Sequence, residues 1–536
     1  MKSETVQFND HTTPCISADA VVVGSGAASL NAAVQLKRLG VEDVVIVTER
    51  LRAGTSANTG SDKQTYYRLN PFSKEDSVQK MAEDLFSGSC MHGDIAKVEA
   101  ALSTRCFYNL VELGVPFPQN QFGEFTGFQT DHDEVSRGTS AGPKTSIMMV
   151  EKLLEEVERR QIPILDYHDV VELLVEEQNE QTKIVGLISV DPEETMTIIK
   201  SDYIVFGTGG PGGLYADSVY PYSQIGSLGI ALKAGAAAQN LTESQFGIAS
   251  LGFRWNLSGS YQQVLPRYIS TDENGEDSKD FLTEYFPSVN HLYKAQFLKG
   301  YQWPFDIRKL SQFGSSLIDL AVYHESKILG RTIYMDFRDN PVFPEAEYSF
   351  DNLPPVIKEY LEKSGATGDR PVDRLKKMNL PAYQLFKENG IDLETRPVEV
   401  AVCHQHCNGG LTGSIWWEST IANFFPVGEC NGSHGLYRPG GSALNAGQVG
   451  SIRAAEMIHY RLTNSSNKSQ DEFSKPIKEK IEEILTYYQN LTDDKKPLDL
   501  KGEREFIQNR MSETLGIVRS PEKIEKAILL NKQMQN

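Results

Sequence analysis

Cysteine is scarce in this chain, with six in 536 residues. That is too few for a disulfide scaffold, and none of the spacings suits an iron–sulfur cluster. Long apolar runs are missing as well. No segment approaches the roughly 20 residues needed to cross a bilayer, so no membrane insertion is expected. The stretch from Met1 to Asp19 lacks the basic start and apolar core of a secretory signal, and the chain reads as cytoplasmic. Positive charge is in deficit: 53 Lys and Arg against 72 Asp and Glu leave a formal charge of −19. Such a surface excludes nucleic acid as an expected partner and makes any basic residue in a pocket informative. Low-complexity tracts are also absent. The length exceeds what one core supports, so two or three domains are expected.

What is present begins at Ala18-Asp19-Ala20-Val21-Val22-Val23, a β-branched run that reads as a buried parallel strand and the first ordered element. Gly24-Ser25-Gly26-Ala27-Ala28-Ser29 follows, then a helical pattern ending at Gly40, then a second strand, Asp43 to Thr48, stopping at Glu49 and Arg50. This βαβ spelling is that of a dinucleotide site. Gly24 permits the tight turn, Gly26 lets backbone approach a pyrophosphate at the helix N-terminus, and Glu49 can accept from a ribose hydroxyl. Ser29 replaces the third glycine of the fingerprint and is small enough to keep helix and strand close. The segment from Ala53 to Ser61, with Thr55, Ser56, Asn58, Thr59 and Gly60, reads either as a flexible loop or as a source of amides and hydroxyls for phosphates or a flavin ring.

Further on, Asp62 to Thr145 is mainly helical in pattern. Asp169 to Val175, including Val170 and Val171, pairs as an antiparallel strand with Ile184 to Val190. Asp202 to Phe206 then runs straight into Gly207-Thr208-Gly209-Gly210, a second approach of backbone to a cofactor. Residues from about 240 to 385 have a different, mixed character. The chain then returns to the first type with a strand at Val398 to Val402, a short strand before Gly428-Glu429, and a glycine-rich turn into a helix through Ser442-Ala443-Leu444. Asn464 to Gln470 is a polar linker, and the remainder is amphipathic helix.

The order of these pieces resembles the flavoprotein subunits of fumarate reductase and succinate dehydrogenase, and L-aspartate oxidase. The resemblance covers most of residues 18 to 460. It implies an α/β fold: a Rossmann-like FAD-binding domain split in sequence (15–239 and 386–463), an inserted α+β capping domain (240–385) and a C-terminal helical region (471–536). It also implies FAD as cofactor. Family members with covalent FAD carry a histidine where this chain has Gly54, so attachment is expected to be non-covalent.

For chemistry, the resemblance puts Arg438 on a substrate carboxylate with His434 alongside, and Arg308, on a capping-domain helix, as the second arginine. The conservative role for Arg308 is electrostatic, since guanidinium rarely gives up a proton. Two positions depart from the family: Gly247 and Gln405 stand where carboxylate-binding histidines are found. A substrate with one carboxylate at Arg438 and a different far end is therefore expected. On a strand, Cys403, Gln405 and Cys407 share one face and His404 and His406 the other, so no metal site is expected and His406 is placed facing the flavin. The leading reading is a reductase or dehydrogenase of a carbon–carbon bond, served by a separate electron-donor protein or a reduced cofactor. The alternatives are an amino-acid-type oxidase and a non-catalytic, FAD-holding electron-transfer protein.

Overall fold

A computed structural model of the chain describes all residues except 1, 9–10, 132, 179, 345–347, 465–471, 494–498 and 535–536; the polar linker expected at 464 to 470 lies almost wholly outside the described residues. The centre is a parallel sheet whose order is Phe424–Pro426, Ile204–Phe206, Ala20–Val23, Val44–Thr48, Ile164–Asp166. Ala20, Val21 and Val22 have no exposed surface because both faces are covered. Reversal of strand order beside Ala20–Val23 creates the crevice in which doubly wound folds bind ligands.

The helix Ala27–Arg38 crosses Ser442–Asn464 at close range, and small residues make the approach possible. Ser451 Oγ donates to Ala28 O at 2.7 Å, Gln448 Nε2 to Ala27 O at 3.0 Å, and Asn31 Nδ2 to Gln448 O at 3.2 Å. Those contacts join segments more than 400 residues apart in sequence and close the split domain.

A second five-stranded sheet flanks the first: Lys2–Phe8, His11–Ser17, Met196–Lys200, Gln181–Val190, Asp169–Gln178. Ordered structure therefore starts before Ala18, contrary to the sequence reading. The strand Lys2–Phe8 is exposed along nearly its whole length, so it carries no apolar alternation to read. The helix Lys475–Asp493 covers this sheet with Ile477, Ile481 and Leu485.

The capping unit is built on a third sheet, Trp255–Asn256, Ser244–Ser250, Val398–Cys407, Thr332–Asp336, Arg267–Thr271. Val398–Cys407 thus belongs to the capping sheet, and the chain rejoins the parallel sheet only at Phe424, not from 386. The reason is its pairing with Ser244–Ser250 along seven register positions. Helices Leu500–Thr514 and Pro521–Met534 follow; Gln508 Nε2 donates to Gly213 O at 2.8 Å, and Ala216 N to Ser512 Oγ at 2.9 Å, docking the tail beside the glycine-rich turn at 207–213. Among the described residues no helix is long and apolar enough to cross a membrane.

Candidate active site

The topology leaves a cavity of about 1080 Å³ between the parallel sheet and the capping unit. Gly24 lies on its wall with φ +95°, and a Cβ there would sit 2.6 Å from Gly207 O. Both the left-handed conformation and the closeness of the neighbouring strand require glycine. Ser29 Oγ lies 3.1 Å from Val23 O and 3.0 Å from Gly207 O, tying together the ends of two adjacent strands. Gly26 caps the helix Ala27–Arg38 without any side-chain bond; Ala27 N donates to Ser56 Oγ at 3.4 Å, and the helix N-terminus faces the cavity as anion sites do.

The loop at 53–61 is structured as a short helix, Thr55–Asn58. Thr55, Ser56, Thr59 and Gly60 line the cavity, as do Ala27, Ala28, Glu49, Arg50, Val170, Gly207, Thr208, Gly209, Gly428, Glu429, Ala443 and Leu444. Four expected contacts lie outside that lining. Asn58 turns away to donate to Arg52 O and Gly54 O, at 2.8 and 2.9 Å. Val171 packs on the flanking sheet with Leu174 and Ile188, because the strand sends successive side chains to opposite sides. Gly210 backs onto Cys407, and Ser442 is buried behind the wall.

The chain's donor set suits FAD. Thr55 Oγ1, Thr208 Oγ1 and Gln448 Oε1 are buried without partners in residues that line the cavity, the state of polar atoms that await a ligand. Gln224, unforeseen from sequence, also lines it and donates to Thr208 O at 2.6 Å.

At the other end stand Arg438 and His406, both on the cavity wall. Burial lowers Arg438 to about 10, opposed by Glu429 and Glu99. Burial raises Glu99 to about 8 and Glu429 to about 7, with Cys407 N donating to Glu429 Oε1 at 2.7 Å. His406 is held neutral, well below its ordinary value, by burial and then by Arg438 and His434. Its Nδ1 lies 2.9 Å from Asn408 Oδ1 and 3.3 Å from Arg438 Nε, which can only donate; Asn408 Nδ2 is occupied by Leu436 O. Nε2 is buried with no partner, 3.8 Å from Glu429 Oε1. His434 is buried behind His406, ring centroids 4.9 Å apart, and is also neutral, lowered by burial to about 3. It does not line the cavity.

A β-bulge alters the alternation expected along 403–407. Gln245 faces His406 and Phe246 faces His404, leaving Gln405 as the extra residue. Gln405 and His406 consequently both line the cavity, whereas His404 stacks on Tyr215 at 4.4 Å and meets Cys407 Sγ at 3.4 Å. Among the described residues no cluster suits a metal ion.

Arg308 lies at the rim, on the short turn Ile307–Lys309 and not on a longer helix. Its side chain is 51% exposed, bound to Asp306 at 2.9 Å, and lies 3.9 Å over the Tyr437 ring; Asp306 and Tyr437 line the cavity but Arg308 does not. Sequence reasoning missed Glu99, Asp62, Asn256, Gln263 and Trp303. Glu99 had a signal: a carboxylate on the apolar face of Gly93–Glu112, in line with Ile95, Ala96 and Ala100.

Residues 19–267 match the family model for an FAD binding domain. The chain is 24% identical over 446 residues to the L-aspartate oxidase of Bacillus subtilis (strain 168), covering 82% of this chain and 71% of that one. It is 22% identical over 525 residues to one of the subunits of the fumarate reductase (CoM/CoB) of Methanothermobacter marburgensis, covering 95% and 83%. A mutant E. coli quinol fumarate reductase FrdA superimposes with a TM-score of 0.71 at 20% identity, over 97% of this chain and 82% of that one. Fold, cavity and matches define an FAD-dependent oxidoreductase. The chain is similar to L-aspartate oxidases and to a fumarate reductase subunit, and it shares the fold of the E. coli fumarate reductase FrdA.

Proposed function

We propose that this enzyme oxidises or reduces a carbon–carbon bond next to a carboxylate of a small molecule. The observation that carries the reading is Arg438 on the cavity wall beside His406 and Glu429. FAD, held non-covalently by the walls at 24–28, 49–60, 207–209 and 443–444, supplies a two-electron hydride donor or acceptor. Arg438 binds and orients the carboxylate, its planar guanidinium suiting two oxygens at once. Glu429, raised to about 7 by burial, is matched to proton exchange near neutral pH. His406 adjoins it, with Nε2 buried and unpartnered. Arg308 has no catalytic role in this scheme: its guanidinium is committed to Asp306.

The test is anaerobic photoreduction of the flavin followed by a panel of unsaturated carboxylates. Reoxidation within seconds, lost in Arg438→Ala, supports the reading; an unchanged rate in that variant sinks it. The second reading is an amino-acid oxidase, favoured by the similarity to L-aspartate oxidases. Rapid reoxidation by air with peroxide formed, and reduction by an amino acid, would put it ahead. Under the first reading, reduction draws its electrons from a separate donor protein or a reduced cofactor, and oxidation passes them to a separate acceptor.

A further inference from the structure

The capping wall of the cavity differs in chemistry from the Arg438 end. Gly247 is one reason: a Cβ there would meet Trp303 Nε1 at 3.0 Å and Cε2 at 3.1 Å, so the indole fills the space a side chain would need. Trp303 lines the cavity, and its Nε1 is a buried donor with no partner. Gln245, on the same strand face as Gly247, offers a buried Oε1 without a partner, and Asn256 a buried Oδ1 likewise. Both residues line the cavity. Gln405 Nε2 is spent on Gly247 O at 3.0 Å. Each carboxamide presents a donor and an acceptor whichever way it is turned.

Of the cations near that side, all but Lys63 are held in ion pairs. Lys309 pairs with Asp131, Lys363 with Glu359 and Arg308 with Asp306. Lys63 is exposed and lies over the Phe128 ring. Asp62, a buried carboxylate on the same cavity, accepts from Ser260 N at 2.7 Å and Ser260 Oγ at 2.9 Å. A second carboxylate brought there can only accept, so it would leave the acceptor of each carboxamide unpaired and would face the buried Asp62. A hydroxyl or carboxamide would satisfy the amides and the indole N–H together, whereas an alkyl end would leave them unpaired.

We propose that the substrate is a monocarboxylate whose far end is a neutral group that both donates and accepts hydrogen bonds, selected by Gln245, Asn256 and Trp303. This rests on the reading that one carboxylate binds at Arg438.

The experiment uses the FAD-loaded full chain and three saturated probes of similar size: succinamate, succinate and butyrate. Binding is read by perturbation of the flavin absorbance and by calorimetry, without turnover. Succinamate is expected to bind about ten-fold or more tightly than either of the others. Trp303→Phe, which keeps the ring and removes the donor, should shrink its advantage over butyrate several-fold. All binding should fall in Arg438→Ala. Succinate binding as well as succinamate would overturn the neutral far end while leaving the Arg438 anchor in place. Butyrate matching succinamate would do so too. If the probes bind equally in Arg438→Ala, or none binds, the anchor itself fails and the inference with it.

Discussion

Ser29 and Gly207 are locked in mutual contact: the serine hydroxyl bonds the glycine carbonyl at 3.0 Å, and a Cβ on Gly207 would lie 2.2 Å from that hydroxyl. Gly207→Ala is therefore expected to lose FAD retention and about 1–3 kcal/mol of stability through overpacking. Ser29→Ala alone should cost about 1 kcal/mol for the lost bond. Because the two share one space, the double variant should be more stable than the sum of the singles predicts. Thermal unfolding and FAD content after gel filtration measure this, and strict additivity would refute it.

Carboxylate binding should weaken as pH rises. Glu429 and Glu99, raised by burial to about 7 and about 8, are protonated at lower pH and leave the Arg438 charge to the ligand. Above those values they ionise and compete for it. Affinity should fall by up to about ten-fold per pH unit for each proton released, and Glu429→Gln should flatten the lower part of the profile. A profile rising with pH would contradict the assignment.

Lys299 and Asp319 form a fully buried ion pair, and Lys299 Nζ also donates to Trp303 O at 2.6 Å. Lys299→Met should cost about 3–5 kcal/mol by stranding Asp319, and replacing both by apolar residues should recover most of it. Asp319 is already raised to about 6 by burial. Without the lysine it rises further, so the folded state keeps a proton that the unfolded chain has released. The deficit should then grow as pH increases. Urea unfolding of the variant at mildly acidic and neutral pH checks the sign.

The dinucleotide half of the site was legible because its constraints are backbone constraints. Gly24 and Gly207 sit at fixed offsets from buried β-branched runs, and local spacing states that relation fully. The capping half was not. Trp303 enters the cavity because Gly247 makes room for it and Lys299 holds its carbonyl, partners set by tertiary packing. Period-two reasoning placed His404 and His406 together, and one inserted residue at Gln405 separated them. For Arg308 the expectation came from the family resemblance, and the structure has Asp306 and Tyr437 holding it at the rim.

The strand Val398–Cys407 is the middle of the capping sheet, yet it carries Gln405 and His406 into the cavity, whereas Arg438 is held by the turn that leads into Ser442–Asn464. The two halves of the cavity are thus owned by different bodies. The 3.3 Å between Arg438 Nε and His406 Nδ1 is a gauge of how those bodies are seated. Any displacement of the cap would carry the histidine off the arginine and open the cavity between them.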